Sequence, residues 1–71
     1  MIDKEFLQKF AKRIKDLRKI KGYTQDEFSF RANLSRSTLG NIETAQNDVT
    51  LSKVKQIADA FEISLSELFM F

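Results

Sequence analysis

Arg36, Ser37, Gly40 and Asn41 lie within one short stretch, SRSTLGNIE, and two of them carry planar groups that form paired hydrogen bonds. A guanidinium can donate two parallel bonds to guanine O6 and N7, and a carboxamide can bridge adenine N6 and N7. If the stretch is helical, at about 100° per residue, Leu39 and Ile42 set its buried side. Ser37, Gly40, Asn41 and Thr44 then lie opposite, with Arg36 on the flank and long enough to reach round. That is a face suited to the edges of base pairs. Glycine at position 40 costs a helix about 1 kcal/mol relative to alanine. Close approach of a duplex and a neutral surface glycine account for it equally well.

Other chemistries are poorly supplied. The chain has no histidine and no cysteine. It therefore lacks the commonest general base, the commonest metal ligand and any thiolate or disulfide. Catalysis would rest on carboxylates and lysines, and no pair of these falls in an evident cleft. The expectation is a protein that is not an enzyme and takes no metal or cofactor. Net charge is a modest +2, but it is uneven. Residues 1–23 hold eight Lys/Arg against Asp3, Glu5 and Asp16, an excess of +5, and residues 24–71 hold four against seven acids, or −3. Such a basic segment can touch phosphates or simply be solvated.

The elements that would position the reading face follow from periodicity and caps. Seventy-one residues make one domain, residues 1–71, whose core must be built from apolar side chains, seven Phe among them. No proline and two glycines suit helices joined by short turns. Asp3 is placed to cap a first helix over about Lys4–Ile20, with Leu7, Phe10, Ile14 and Leu17 on its apolar face and Gly22 ending it. Thr24 and Glu27 have the spacing of a capping box at the start of a second helix, which Asn33 breaks. Ser35 caps a third, Arg36 to about Thr44. Thr50 caps a fourth, Leu51 to about Phe61, carrying Val54, Ile57, Ala58 and Phe61. Ser64 and Glu67 form a second capping box opening a short last helix with Leu68, Phe69 and Phe71. Helices two and three, joined by Asn33-Leu34-Ser35, must meet at a steep angle around Phe28, Ala32, Leu34, Leu39 and Ile42. Ser29 is small where a larger side chain would push them apart. This is a helix-turn-helix over about 24–45.

Here the chain resembles the lambda-repressor and Cro-like (XRE) helix-turn-helix family. The landmarks are Arg18 with Gly22-Tyr23-Thr24-Gln25, Asn33-Leu34-Ser35-Arg36-Ser37-Thr38-Leu39, Ile42-Glu43, Ile57-Ala58 and Ser66-Glu67-Leu68-Phe69, spread over Ile14 to Phe69. The stretch Asn47-Asp48-Val49-Thr50-Leu51 and the short length look most like controller proteins of restriction-modification systems. The resemblance implies an all-α fold, a compact five-helix bundle of the lambda-repressor-like DNA-binding type. It also implies a homodimer on double-stranded DNA. Asn33, Ala45 and Glu62 stand where relatives often have Gly, and Val49 where Pro is common, which leaves the loop from Thr44 to Thr50 open.

The resemblance places base reading at Arg36, Ser37 and Asn41, in agreement with the helical geometry, which adds Gly40. Candidates for the DNA backbone are Gln25 and Thr24 at the start of helix two, Thr38 and Thr44 on helix three, Asn47 in the following loop, and Lys21. Each has a plain surface residue as its alternative. By the same resemblance, Arg18 and Glu43 form a structural, partly buried ion pair. The aromatic tail is a large apolar surface for the end of a small domain. Leu65, Leu68, Phe69 and Phe71 are the candidates for a dimer interface, against folding back on the domain's own core. The leading expectation is a transcriptional regulator, a repressor or autoregulator on an inverted repeat. The alternative is an antitoxin that also binds a protein toxin. No signal-peptide pattern and no membrane-length apolar run give a cytoplasmic expectation, with an exported domain whose signal was trimmed as the alternative.

Overall fold

The structure, a computed structural model, describes residues 3–71; Met1 and Ile2 lie outside the described residues. Five helices follow one another: α1 Lys4–Lys21, α2 Gln25–Arg31, α3 Arg36–Glu43, α4 Leu51–Phe61 and α5 Leu65–Leu68. No strand occurs among the described residues. The expected all-α five-helix bundle is what forms.

Each helix begins where a short polar side chain can take a free amide. Asp3, Thr24, Ser35, Thr50 and Ser64 accept from the N–H three residues on, satisfying donors that have no partner inside the helix. The Ser64–Glu67 box closes in both directions. Bonds from the Ser64 backbone and hydroxyl hold the Glu67 carboxyl below its usual range. The Thr24 box closes in one direction only. Thr24 accepts from the Glu27 N–H at 3.0 Å, but the Glu27 carboxylate turns along the helix to Arg31 at 3.5 Å.

Chain reversals use left-handed backbone. Gly22 ends α1 at φ 75°, and Asn33, Ala45 and Glu62 adopt φ of 57°, 55° and 59° without being glycine. The link between α2 and α3 is one residue longer than expected, because the helix ends at Arg31 and Ala32 serves as its cap. Similarly α3 ends at Glu43, and the Thr44 hydroxyl donates to the Gly40 carbonyl at 2.8 Å, closing the last turn.

The core gathers Phe10, Ile14 and Leu17 from α1, Phe28 and Ala32 at α2, Leu39 and Ile42 of α3, Val54, Ile57, Ala58 and Phe61 of α4, and Leu68 of α5. Phe28 and Phe61 stack at its centre, 4.1 Å between ring centroids. Leu34 packs against this cluster from the turn, and Ser29 is buried with its hydroxyl bonded to the Asp26 carbonyl. A smaller cluster of Leu7, Ala11 and Ala45 joins the start of α1 to the end of α3. There Lys4 Nζ donates to the Ala45 carbonyl at 2.8 Å.

The tail corrects two expectations. Leu68, expected at a dimer interface, is fully buried in the protomer's own core. α5 ends at Leu68, short of the expected Phe69 and Phe71, and Arg13 donates to the Glu67 and Leu68 carbonyls at 2.7 and 3.1 Å, tying this end of the chain to α1. Phe69 then stacks on Phe10 at 5.5 Å, and Phe71 tilts against Phe6 at 5.7 Å. Both remain partly exposed.

Candidate nucleic-acid interface

α3 packs against α1 and α2, burying Leu39, Ile42 and Glu43. Its opposite flank is open. Arg36, Ser37 and Asn41 are exposed, Gly40 is half-buried beside Arg36, and Thr44 is exposed at the end. Thr38 and Asn41 border a cleft of about 180 Å³ that continues past Asn47, Asp48, Val49 and Thr50 to Lys53. Thr38 and Asn47, from different elements, are thus brought to one surface with Asn41. Lys21 is exposed at the end of α1, and no contact joins it to this group. Thr24 is exposed, its hydroxyl committed to the cap of α2.

Arg36 does not hang free. Its Nε faces Asp26 Oδ1 at 3.3 Å, and its Nη2 donates to Gln25 Oε1. A Cβ on residue 40 would stand 3.3 Å from Arg36 Nη1. The missing side chain of Gly40 leaves a bed in which the guanidinium lies. That is a reason for glycine beyond the two considered from sequence.

Gln25 is half-buried and works in both directions. Its Nε2 donates to Glu43 Oε1 at 2.8 Å while its Oε1 accepts from Arg36. Glu43 in turn receives Arg18 Nε at 2.9 Å and Arg18 Nη2 at 3.2 Å, and Arg18 Nη1 donates to the Tyr23 carbonyl at 3.1 Å. The expected Arg18–Glu43 pair is present, with 14% and 2% of the two side chains exposed. It anchors a chain of hydrogen bonds running from α1 through α3 and α2 to the exposed guanidinium. The carboxamide of Gln25 is engaged in this chain, so a bare surface glutamine is not what the sequence supplies.

Sequence reasoning missed Asp26, an acid in the first turn of α2 with no local pattern that joins it to Arg36. It also missed Gln56. From α4, Gln56 Nε2 donates to the Ala32 and Asn33 carbonyls at 3.0 and 3.2 Å, pinning the turn between α2 and α3. No pattern in the chain joins positions 24 residues apart. Leu51 is 79% exposed, although its spacing from Val54 and Ala58 continues their apolar stripe, so no local pattern signals its exposure.

A helix-turn-helix family model, HTH_3, matches residues 14–68, which takes in all of α2 to α5 and the end of α1. The chain belongs to this helix-turn-helix family. Over 59 residues it is 37% identical to YazB, an HTH-type transcriptional regulator of Bacillus subtilis, covering 83% of this chain and 86% of that one. Among solved structures it is similar to the restriction-modification controller protein C.AhdI from Aeromonas hydrophila. The TM-score is 0.84 at 38% identity, over 89% of this chain and 96% of that one. It is also similar to C.Esp1396I bound to a 25 base pair operator site, TM-score 0.82 at 30% identity, over 90% and 84% of the two chains. In this helix-turn-helix protein, α3 packs against α1 and α2 and leaves Arg36, Ser37 and Asn41 exposed.

Proposed function

We propose that the chain is a transcriptional regulator that binds double-stranded DNA by placing α3 in a major groove. The observation that carries this reading is the open flank of α3, Arg36 through Asn41, in a fold whose solved relative is bound to an operator. Arg36 reads guanine, Asn41 reads adenine, and Ser37 and Gly40 border the groove floor. Thr38, Thr44 and Asn47 approach phosphates on one side, and Gln25, Thr24 and Lys21 on the other, near the start of α2. The controller-like relatives favour a repressor or autoregulator, and a cytoplasmic place follows from that role. No described helix is long and apolar enough to cross a membrane. The antitoxin alternative gains no support from relatives named as regulators and controllers.

A homodimer would set two recognition helices about 34 Å apart and so select an inverted repeat. With Leu68 inside the protomer, the proposed dimer face shifts. It centres on Leu65 and Leu51, which border a shallow groove with Ser52, Lys55 and Gln56, and extends to the exposed parts of Phe69 and Phe71.

The test is selection from random duplex DNA followed by titration of the enriched duplex. Binding should weaken steeply with salt. Arg36→Ala should cost about 1–3 kcal/mol and relax the preference at one position per half-site. Binding indifferent to salt and to Arg36→Ala would overturn the reading.

A further inference from the structure

Asp26 puts a carboxylate on the surface proposed to face DNA, where phosphates would repel it. It is also the partner of the arginine proposed to read a base. A guanidinium has five N–H donors in a rigid fork. In Arg36, Nε stands 3.3 Å from Asp26 Oδ1 as an ion pair and Nη2 donates to Gln25 Oε1, so both partners sit towards the side edge formed by Nε and Nη2. At the end edge, formed by Nη1 and Nη2, Nη1 has no hydrogen-bond partner among the described residues and stands 3.3 Å from where a Cβ on residue 40 would be. That end edge can make the two-bond contact to guanine O6 and N7.

We propose that Asp26 is a positioning residue for Arg36, holding the side edge of the guanidinium so that the end edge meets guanine already oriented. Asp26 does not touch the base. An unrestrained arginine loses most of its rotamer freedom when it binds, and a side chain fixed beforehand loses less. The brace is anchored on its other arm, because Gln25 is bonded to Glu43, which is buried and paired with Arg18. The charge of Asp26 keeps Arg36 off the phosphates as well, since a guanidinium paired at its side edge gains less from a second anion. Asp26 thus acts on specificity, favouring the guanine contact over indiscriminate binding. This inference rests on the reading of Arg36 as the base-reading residue.

The experiment compares wild type, Asp26→Asn, Asp26→Glu and Arg36→Ala. Each is put through selection from random duplex DNA. Each is then titrated, at one salt concentration, on the duplex that wild type enriches and on a scrambled duplex of the same composition. The Asp26 side chain is 87% exposed, so Asp26→Asn should melt as wild type does. It should bind the scrambled duplex at least as tightly, and the enriched duplex about threefold more weakly per half-site, within the range of an exposed ion pair. The guanine preference should relax at one position per half-site, and Asp26→Glu should restore it in part. An unchanged guanine preference in Asp26→Asn overturns the proposal. So does an equal gain on both duplexes, which would make Asp26 a mere competitor for Arg36. If Arg36→Ala leaves the enriched sequence as it was, the base-reading assignment fails and the proposal with it. If Arg36→Ala erases the preference and Asp26→Asn keeps it, the positioning role alone fails.

Discussion

Glu43 takes a carboxylate into a region where it is 3% exposed, and three N–H groups converge on it, two from Arg18 and one from Gln25. Such a group is tolerated only while those donors are present, because removing a partner leaves an uncompensated charge. Arg18→Ala should therefore lower stability by about 3 kcal/mol, on the order of 10–20 °C in Tm for a domain of this size. Replacing both residues with apolar ones of similar volume should recover part of the loss. Thermal denaturation followed by circular dichroism checks both, and an Arg18→Ala protein that melts with wild type would strip the pair of its structural role. The same substitution loosens Gln25, one of the two side chains that hold Arg36. A largely buried residue thereby bears on the proposed DNA surface.

Element ends carry the next set of consequences. Glu62 and Ala45 both adopt left-handed backbone, at φ 59° and 55°, which disfavours any residue with a Cβ by about 1–2 kcal/mol. Their surroundings differ. Glu62 is exposed, whereas Ala45 is 4% exposed and its methyl packs with Leu7 and Ala11. Glu62→Gly should raise stability by about 0.5–1 kcal/mol after the backbone entropy of glycine is counted. Ala45→Gly should come out near neutral, since burying one methyl contributes about 0.8 kcal/mol. Equal stabilisation by both, measured by urea denaturation, would show that the Ala45 methyl does not pack. Ala45 also marks where the chain leaves α3, and the Lys4 bond to its carbonyl ties the start of α1 to that exit. Here the cap alters the surface: the loop that follows carries Asn47 towards Thr38 and Asn41.

At the scale of the molecule, a body of 32 × 25 × 20 Å suits a pair of protomers whose recognition helices stand one duplex turn, about 34 Å, apart. The exposed parts of the α4–α5 side supply an apolar patch for the proposed pairing. Leu51 at 79% and Leu65 at 38% exposure border a groove on it. A lysine at either position would bring unpaired charge into the pair. Leu65→Lys should shift sedimentation at micromolar concentration towards monomer and weaken binding to an inverted repeat more than to a single half-site, with little change in Tm. Retention of the dimer would move the interface elsewhere, with the Phe69 and Phe71 surface as the remaining choice.

The chain itself determined where helices start and stop to within a residue or two, because caps, breaks and apolar spacing are local; the exception is α5, which ends at Leu68, short of the Phe69 and Phe71 expected on it. It also determined the buried sides of α1, α3 and α4, the helix-turn-helix between them, and through family resemblance the Arg18–Glu43 pair. Two local readings failed for a local reason: the Glu27 carboxylate had Arg31 within reach four residues on, and Ala32 left its helix early. What only the tertiary structure decided concerns distant residues with more than one possible partner. Leu68 had the composition of an interface residue, yet Arg13 and the rings of Phe6 and Phe10 draw its segment inward. Asp26 and Gln56 carry no local pattern that marks a partner, and folding puts Arg36 beside one and the turn of Asn33 beside the other. Local hydrogen bonds are written in spacing, whereas a long-range partner depends on how every intervening helix packs.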